Sequence, residues 1–576
     1  MRLNGSSLNG AALNGAARQL GQQTTIVELA DSCRWRLRAL LNGVDISSRL
    51  TDAVTLDREE GAARLLRLSL IPEPGLLSLD DLTGKSMVLY RQRLEGETVE
   101  AEQLRFTGLT MQPGINASTK MIALTATCDL QNRIEKMTQA EIEALLPGSL
   151  YAEAVFGEVE SHWSYCQNRL ATLAGNLDSA PDGSLRFTPW KPVSTAHFSF
   201  GPSEVLSGSL SIQPADASQL INKIEISVEY RYSRLRHREH QVSWEHPAGN
   251  FCAWLPNSTE LPTQSMLLSA LDQGGWTVLG NPTLITLPPS MVNPCGMGGA
   301  WSNTFTADPH LLSFAANLAQ RTAQTFTERY TLTINAAGSV STFGERTARE
   351  RYSDEAEFDS RSWEDLPADT RPTEAVQDAL GDWVIDKDEL NRRDNTLLTA
   401  LQRELVRLHA SHRQTRVVFQ TPIIDRVYDT SQTVRVNAMG TLAQGKVSRV
   451  QEVWDLNRGT EVATIELAIY RGGLAVVNDT LSPPARPVFD LGTAPDSVTV
   501  LATQIGGRLD SPPFDEELDG FSGNASVIAA GSESYPRRLQ FNTPDIPAEH
   551  RDPAEAVAAA SYQVSLPTNL LLTEVV

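Results

Sequence analysis

Two stretches of the chain repeat one pattern: KSMVLYRQRLEGETVEAEQLRFTGLTMQPGINASTKMIALTA (residues 85–126) and TVRVNAMGTLAQGKVSRVQEVWDLNRGTEVATIELA (residues 433–468). Each has a strand-like segment, a second such segment containing a glycine, a turn containing asparagine, and a third strand-like segment. Recurrence of one supersecondary unit within a chain is typical of internal duplication. The sequence therefore predicts two related antiparallel β-barrels.

Alternation of apolar and polar residues extends this prediction to whole domains. Residues 33–135 form the first predicted barrel, because strand patterns such as RWRLRALL recur there at the spacing of an antiparallel barrel or sandwich. The second predicted barrel is discontinuous and consists of residues 216–246 and 413–473. Residues 247–412 are predicted to be an inserted α+β domain, since an insertion at a loop tip is well tolerated.

The remaining segments are an N-terminal docking arm (1–32), a helical and mixed connecting region (136–215) and an extended C-terminal appendage (474–576). The predicted fold class is mainly β with an α+β insertion. It contains two related antiparallel β-barrel domains, and a large mixed insertion interrupts the second of them.

Local signals predict several further elements. Residues 138–141 (TQAE) have the form of a capping box that begins a helix. A long helix with leucines on one face is predicted over 390–408. The Asp-Pro pair at 308–309 predicts a helix start, and the Ala-Gly pair at 337–338 predicts a hairpin.

The N-terminal arm carries three Leu-Asn-Gly triplets, beginning at Leu3, Leu8 and Leu13. Three leucines separated by small and polar residues bury too little apolar area to offset an ordering cost of about 1–2 kcal/mol per residue. The Asn-Gly pairs also interrupt any apolar run of signal-peptide length. Two interpretations remain, a disordered tail and an arm that docks on a neighbouring subunit through these leucines. The second is our prediction.

Composition excludes several classes of protein. The chain has 49 basic and 70 acidic residues and a net charge of −21, which disfavours stable binding of a nucleic-acid backbone. The five cysteines are widely spaced and lack a C-x-x-C pair, so neither a disulfide framework nor a zinc site is indicated. No apolar run approaches the ~20 residues of a membrane-spanning helix.

No catalytic constellation can be assembled from the motifs present. His237 and His240 lie three apart in a strand pattern, so their side chains point to opposite faces and suit a shared metal poorly. Tryptophans near the start of the insertion offer a platform for sugar stacking, although packing is their commoner use; these are Trp254, Trp276 and Trp301. We predict no catalytic, cofactor-binding or metal-binding residues and no cofactor.

The layout of residues 33–473 resembles the baseplate hub proteins of tailed bacteriophages. The resemblance rests on the order of the two barrels and the insertion, and on a strand F-x-G followed by a strand end A-T-x-D. The residues that carry it are Phe106, Gly108, Ala126, Thr127 and Asp129. The arm and the segment after residue 473 have no counterpart in this resemblance.

The resemblance implies a structural, non-enzymatic virion protein at the tail tip, assembled in the cytoplasm of a bacterial host. It implies a homotrimeric ring whose six barrels join a hexameric tail tube to a threefold tip. Tail-tube ring proteins, central fibre or tip proteins and the tape measure would be the partners. DNA would pass through during ejection without specific binding, and the tail tip would serve host attachment.

Two alternatives stay open at the level of sequence. One is a β-rich polysaccharide-degrading hydrolase, which requires two carboxylates about 5–10 Å apart in a cleft. The other is a carbohydrate-binding protein.

Overall fold

The computed structural model describes most of the chain outside the N-terminal arm, the middle of the insertion and much of the C-terminal region. The described residues are 17–20, 24–27, 34–73, 79–95, 98–111, 113–116, 118–245, 264–265, 267–268, 276–286, 290–292, 300–302, 311–356, 373–423, 425–473, 481–489 and 550–574.

The chain is mainly β. The strands are β1 (Ala17–Leu20), β2 (Thr24–Val27), β3 (Arg34–Leu41), β4 (Val44–Asp45), β5 (Leu50–Glu59), β6 (Leu65–Leu70), β7 (Ser86–Glu95), β8 (Thr98–Thr110), β9 (Gly114–Ile115), β10 (Ile122–Thr127), β11 (Gly175–Ser179), β12 (Leu185–Pro189), β13 (Phe198–Phe200), β14 (Ser211–Gln213), β15 (Lys223–Glu245), β16 (Thr277–Thr286), β17 (Ser290–Val292), β18 (Ala300–Ser302), β19 (Leu311–Asn335), β20 (Thr347–Glu355), β21 (Val376–Gln377), β22 (Trp383–Asp386), β23 (Thr415–Pro422), β24 (Thr433–Ala438), β25 (Thr441–Asp455), β26 (Thr460–Ile469), β27 (Ala554–Gln563) and β28 (Leu571–Thr573). The helices are α1 (Leu130–Glu135), α2 (Gln139–Leu145), α3 (Glu153–Phe156), α4 (His162–Leu170), α5 (Ala337–Phe343) and α6 (Leu390–Ser411).

Two six-stranded units with one strand order form the largest sheet. The first unit, called here the first barrel, has the order β5-β6-β10-β8-β7-β3. The second barrel has the order β14-β23-β26-β25-β24-β13. Numbered by position in the chain, both orders read 2-3-6-5-4-1. The predicted fold class is confirmed, and the one difference in pairing is that β13 runs parallel to β24 whereas β3 runs antiparallel to β7.

A glycine occupies the equivalent position of the fifth strand in both barrels. Gly108 of β8 lies opposite Met87 of β7, and Gly445 of β25 lies opposite Val434 of β24. A Cβ atom at Gly108 would stand 2.3 Å from a carbonyl oxygen of β10, and one at Gly445 would stand 2.6 Å from a carbonyl oxygen of β26. The neighbouring strand thus approaches too closely for any side chain at this position of either barrel.

The insertion enters at a different point from the one predicted. The prediction that residues 216–246 begin the second barrel is wrong, because β15 pairs with β19, β20 and β22 and with no strand of 413–473. The first strands of the second barrel are instead β13 and β14, both of which precede residue 216. Alternation in β15 shows only that it is a strand. Its partner is decided by β19, which offers 23 consecutive facing residues.

The inserted domain is built on this long hairpin of β15 and β19. At about 3.3 Å per residue, the 23 residues of β15 extend about 75 Å. Parallel strands β20 and β27 flank the half nearest the barrels, and β16 and β22 flank the far half. Buried leucines of α6 pack on tyrosines and aliphatic residues of the near half, so this half has its own core.

Local helix predictions are partly confirmed. Thr138 and Glu141 make both hydrogen bonds of a capping box at the start of α2, and α6 covers the predicted helix at 390–408. The helix expected after 308–309 is wrong, because the chain from Leu311 is strand β19. The hairpin expected at 337–338 is also wrong, because these residues begin helix α5.

The C-terminal region is more integrated than predicted. Of the predicted appendage, β27 joins β19 in the inserted sheet and β28 joins β25 in the second barrel. Both strands therefore belong to the domains that precede them in sequence.

We predict that the shared glycine is required in both barrels. Replacing Gly108 or Gly445 by alanine should lower the free energy of unfolding by about 1–3 kcal/mol, since the new methyl group overlaps the backbone of the neighbouring strand. Gly114→Ala is the matched control, because its Cβ would meet only the Cβ of Ala123 at 4.0 Å. Urea denaturation of the three variants measures this. Equal stability of all three would contradict the prediction.

Candidate functional site

The two barrels are joined by a backbone ladder. Past an irregularity near Ser448, the second half of β25 pairs with β5 of the first barrel through seven residue pairs, from Arg449 opposite Glu59 to Asp455 opposite Ala53. The largest sheet therefore runs unbroken from one barrel into the other. We call this ladder and the charged side chains around it the barrel junction.

A buried carboxylate lies at the centre of the junction, between two arginines of the first barrel. Arg105 Nη1 donates to Glu452 Oε1 at 2.8 Å, and Arg58 Nη2 donates to Glu452 Oε2. The same guanidinium groups donate to the backbone oxygens of Tyr428 and, at 2.8 Å, Arg426. All three charged side chains are at most 1% exposed. Burying them is tolerable only because they are paired and hydrogen-bonded to one another.

A second cluster lies beside the first. Arg91 of β7 makes a bidentate contact with Glu461 of β26 at 2.7 and 2.8 Å, and it also donates to Asp425 at 3.0 Å. Burial raises the pKa of Glu461, although Arg91 opposes this shift. Burial also acts to raise the pKa of Asp425, but Arg91 and Arg93 outweigh it and lower this pKa. The loop before β24 is thus fixed to the first barrel.

A third cluster ties the connecting region into the junction. Asp429 accepts from Arg64 at 2.9 and 3.0 Å and from Arg186 of β12 at 2.7 Å. Burial acts to raise the pKa of Asp429, but these guanidinium groups, together with Arg58, lower it to about 2. Asp429 therefore stays ionised at any physiological pH.

The junction is a fixed joint by its chemistry. Bidentate arginine contacts are short and strongly directional, and further ones occur at its rim. These are Arg413 with Glu60 at 2.8 and 2.9 Å and Arg449 with Asp57 at 2.6 and 3.1 Å. Because guanidinium groups hold these carboxylates, the arrangement suits rigid positioning of one barrel against the other.

His237 and His240, the two histidines considered as a metal-binding pair, have different neighbours. His237 Nδ1 accepts from Arg321 at 3.2 Å, and its Nε2 lies 3.2 Å from Glu239. His240 lies near the ring of Trp276, with centroids 6.1 Å apart. Among the described residues, no group of three or more His, Cys, Asp or Glu side chains is placed to hold a metal ion.

Of the predicted docking and sugar-binding residues, Trp276 is the one whose side chain lies in the described part of the structure. Leu3, Leu8 and Leu13 lie outside the described residues, as does Trp254. Trp276 is buried among Leu267, Leu311 and other apolar side chains and is 2% exposed, so its indole offers no open stacking face. Nothing is described of the side chain of Trp301.

A pocket of about 470 Å³ opens between β3 and the turn after β25. Its lining residues are Arg34, Trp35, Arg36, Leu37, Ser47, Leu50, Leu456 and Gly459. They include no carboxylate, so this pocket lacks the acid pair that a glycosidase requires. No helix in the described part of the chain combines the length and the apolar character needed to cross a membrane.

Comparison with known proteins gives matches in structure alone. No family model matches the sequence, and no curated protein matches it. This chain is similar to solved structures of phage tail proteins.

Two of these structures match at 9% identity and a TM-score of 0.36. The tail protein from Neisseria meningitidis MC58 aligns over 76% of this chain and 96% of its own. The 43 kDa tail protein of prophage MuSo2 from Shewanella oneidensis aligns over 75% of this chain and 98% of its own. A third, the Escherichia coli c3393 protein of the type VI secretion system, matches at 6% identity and a TM-score of 0.28, over 76% of this chain and 79% of its own.

The junction residues belong to no recognisable sequence motif, although the sequence does carry a signal for them. Glu452 alternates with the same periodicity as Val450 and Trp454, and all three are fully buried. Arg58 likewise follows the buried residues Val54 and Leu56 at alternate positions. A charged residue on the apolar face of a strand predicts a buried charged partner, but the sequence does not say which residue that partner is.

We predict that Glu452 is essential to the junction. Glu452→Gln should lower the free energy of unfolding by about 3–5 kcal/mol, because it leaves two buried guanidinium groups without a neutralising charge. Glu102→Gln is the matched control. Glu102 contacts Arg38 at 3.1 Å, and both side chains are about one-third exposed, so little change is expected. Urea denaturation compares the two variants, and similar losses would contradict the prediction.

Proposed function

We propose that this protein is a structural hub of a phage or phage-like tail. The observation that carries this proposal is the presence, in one chain, of two six-stranded barrels with the same strand order and the same buried glycine. The similar solved structures include tail proteins and a component of the type VI secretion system that is itself described as similar to T4 bacteriophage tail proteins.

The duplication supports a role as a symmetry adaptor. Three copies of a chain with two similar barrels present six similar surfaces, so a homotrimeric ring can be joined to a hexameric tube. The insertion occurs once per chain and would therefore follow threefold symmetry. The rigid barrel junction supports this role, because the two barrels must keep one relative orientation for six surfaces to lie in one ring.

The inserted domain would form the threefold part towards the tail tip. Its hairpin of β15 and β19 is about 75 Å long at the usual rise per residue, which is long enough to extend well beyond a ring of barrels. The net charge of −21 suits a channel that must pass DNA without binding it, since carboxylates repel phosphate. Tail-tube ring proteins, fibre or tip proteins and the tape measure are the proposed partners.

A non-enzymatic role belongs to this proposal. The buried carboxylates of the junction are engaged by arginines, and the pocket beside β3 carries no carboxylate. We place the protein at the tail tip of a virion, where it takes part in DNA ejection and host attachment.

The proposal predicts a defined assembly. The purified protein, alone or after addition of a tail-tube protein of the same particle, should form a ring that contains three copies of the 63.0 kDa chain. Light scattering after size-exclusion chromatography measures the mass, and class averages from electron microscopy should show six similar lobes. A protein that remains a single chain under both conditions would refute the hub proposal.

The arm leads to a separate prediction. Three leucines buried in a preformed groove contribute about 5–9 kcal/mol before ordering costs, so Leu3, Leu8 and Leu13 would hold the arm on a neighbouring subunit or ring. Deleting residues 1–17 should change the melting temperature by less than about 2 °C and abolish incorporation into assembled tails. Replacing the three leucines by serine should have the same effect. A large fall in melting temperature would instead assign the arm to the core of its own subunit.

A further inference from the structure

Because the barrel is duplicated, the chain has two second strands and two fifth strands, and the barrel junction pairs only one of each. Within the chain, the second strand of the first barrel (β5) pairs with the extended fifth strand of the second barrel (β25). Each barrel has both a second and a fifth strand. The second strand of the second barrel (β14) and the extension of the fifth strand of the first barrel (β9) are therefore left over. In the described part of the chain, β14 pairs only with β23, and β9 only with β10.

The register identifies which residues of the fifth strands correspond. Counting from the shared glycines of β8 and β25, Gly114 occupies the position of Gln451, and Ile115 that of Glu452. The partner strands give the same correspondence. Gly114 faces Ala123, four residues before Thr127, whose carbonyl oxygen lies against Gly108, and Gln451 faces Thr464, four residues before Ala468, whose carbonyl oxygen lies against Gly445. β9 is thus the counterpart of the segment of β25 that pairs with β5.

The second strands correspond in the same way. Leu56 of β5 faces Leu66 of β6, and Ile212 of β14 faces Val417 of β23. Leu66 and Val417 in turn face corresponding residues of the last strand of each barrel. Ile212 is therefore the counterpart of Leu56, the residue that lies opposite Glu452 in the junction.

We propose that the edge formed by β9 of one copy docks on the edge formed by β14 of the next copy, as a continuation of the barrel junction. This arrangement places Ile115 opposite Ile212. Ile115 is 42% exposed, and Met111, four residues before it in the chain, is 48% exposed, so apolar side chains are exposed at an edge for which the described residues supply no partner. Because the two edges differ, the contact is head-to-tail, and such contacts close into rings when the rotation allows.

Two prolines distinguish this contact from the junction within the chain. Pro113 corresponds to Val450 and Pro214 to Arg58, and Val450 faces Arg58 in the junction. The hydrogen bond from Glu60 N to Ser448 O marks Ser448 and Glu60 as a hydrogen-bonded pair of this ladder. Such pairs recur at every second residue of an antiparallel ladder, so Val450 and Arg58 form the next one. Proline has no N–H to donate, and proline at an exposed strand edge is a known protection against unwanted pairing. The contact between copies therefore depends on apolar side chains more than on backbone hydrogen bonds.

Cysteine crosslinking tests this contact. Gly114 corresponds to Gln451 and Gln213 to Asp57, and Gln451 faces Asp57 in the junction. This is a non-hydrogen-bonded pair of the antiparallel ladder, in which the two Cα atoms are about 4.5 Å apart. That distance suits a disulfide bond. A Cβ at Gly114 meets no atom closer than 4.0 Å, so Gly114→Cys should fold. The measurement is non-reducing electrophoresis after oxidation by copper phenanthroline at high protein concentration, with the unaltered protein as background.

The head-to-tail geometry predicts a specific pattern. G114C alone and Q213C alone should give no new species, and their mixture should stop at two linked chains. The double variant G114C/Q213C should continue beyond two. Crosslinking of either single variant with itself would indicate a symmetric contact and overturn the proposal.

A charge substitution provides the second measurement. Ile115→Asp should weaken self-association about tenfold or more, whereas Val376→Asp, at a 64% exposed position of the inserted domain, should not. This inference rests on the hub proposal but can fail separately. Trimers that form without crosslinking, or that Ile115→Asp leaves unchanged, refute this contact alone. Chains that never associate, even with tube protein, refute both.

Discussion

Pairing of β5 with β25 is the interaction on which the rest of this structure depends. It turns two barrels into one sheet, and the carboxylate of Glu452 between Arg58 and Arg105 makes the connection specific. Buried ion pairs add little stability over apolar packing, but they penalise every arrangement in which one partner is missing. A shifted register or a rotated barrel would leave charges buried without partners, so the junction selects one relative orientation.

This selection explains why the charges are arranged in three clusters and not scattered. The clusters around Glu452, Glu461 and Asp429 link both barrels with the loop before β24, and the last also links them with β12 of the connecting region. Each cluster joins segments that are far apart in sequence. Together they oppose bending as well as sliding of one barrel against the other.

The sequence reveals local structure well and strand partners poorly. Two-residue alternation identified the strand at β15, and the repeated pattern around Gly108 and Gly445 identified the duplication, because both signals are contained within a short segment. The choice of a strand's pairing partner, in contrast, depends on residues far away in the sequence. The sequence pattern of β15 also fits the second barrel, because an alternating strand fits any half-buried sheet. Only β19, about 90 residues along the chain, determines the actual partner. The alanine-rich start of β19 also shows tertiary pairing overriding local preference.

The ion pairs of the junction cannot be predicted from the sequence for a related reason. Arginine and glutamate in a strand are usually taken to face solvent, and a pattern alone cannot show that two such residues meet in the core. The docking leucines stay a prediction, since they lie outside the described residues.

The position of β27 and β28 has a consequence for biosynthesis. These strands complete the edges of β19 and β25, yet the ribosome makes them more than 200 residues after β19 and more than 100 after β25. Both edges therefore stay open during much of translation, while the first barrel can already fold. Products truncated before residue 554 would retain exposed strand edges, which favour aggregation. The fold is thus complete only after both of these late strands have been made.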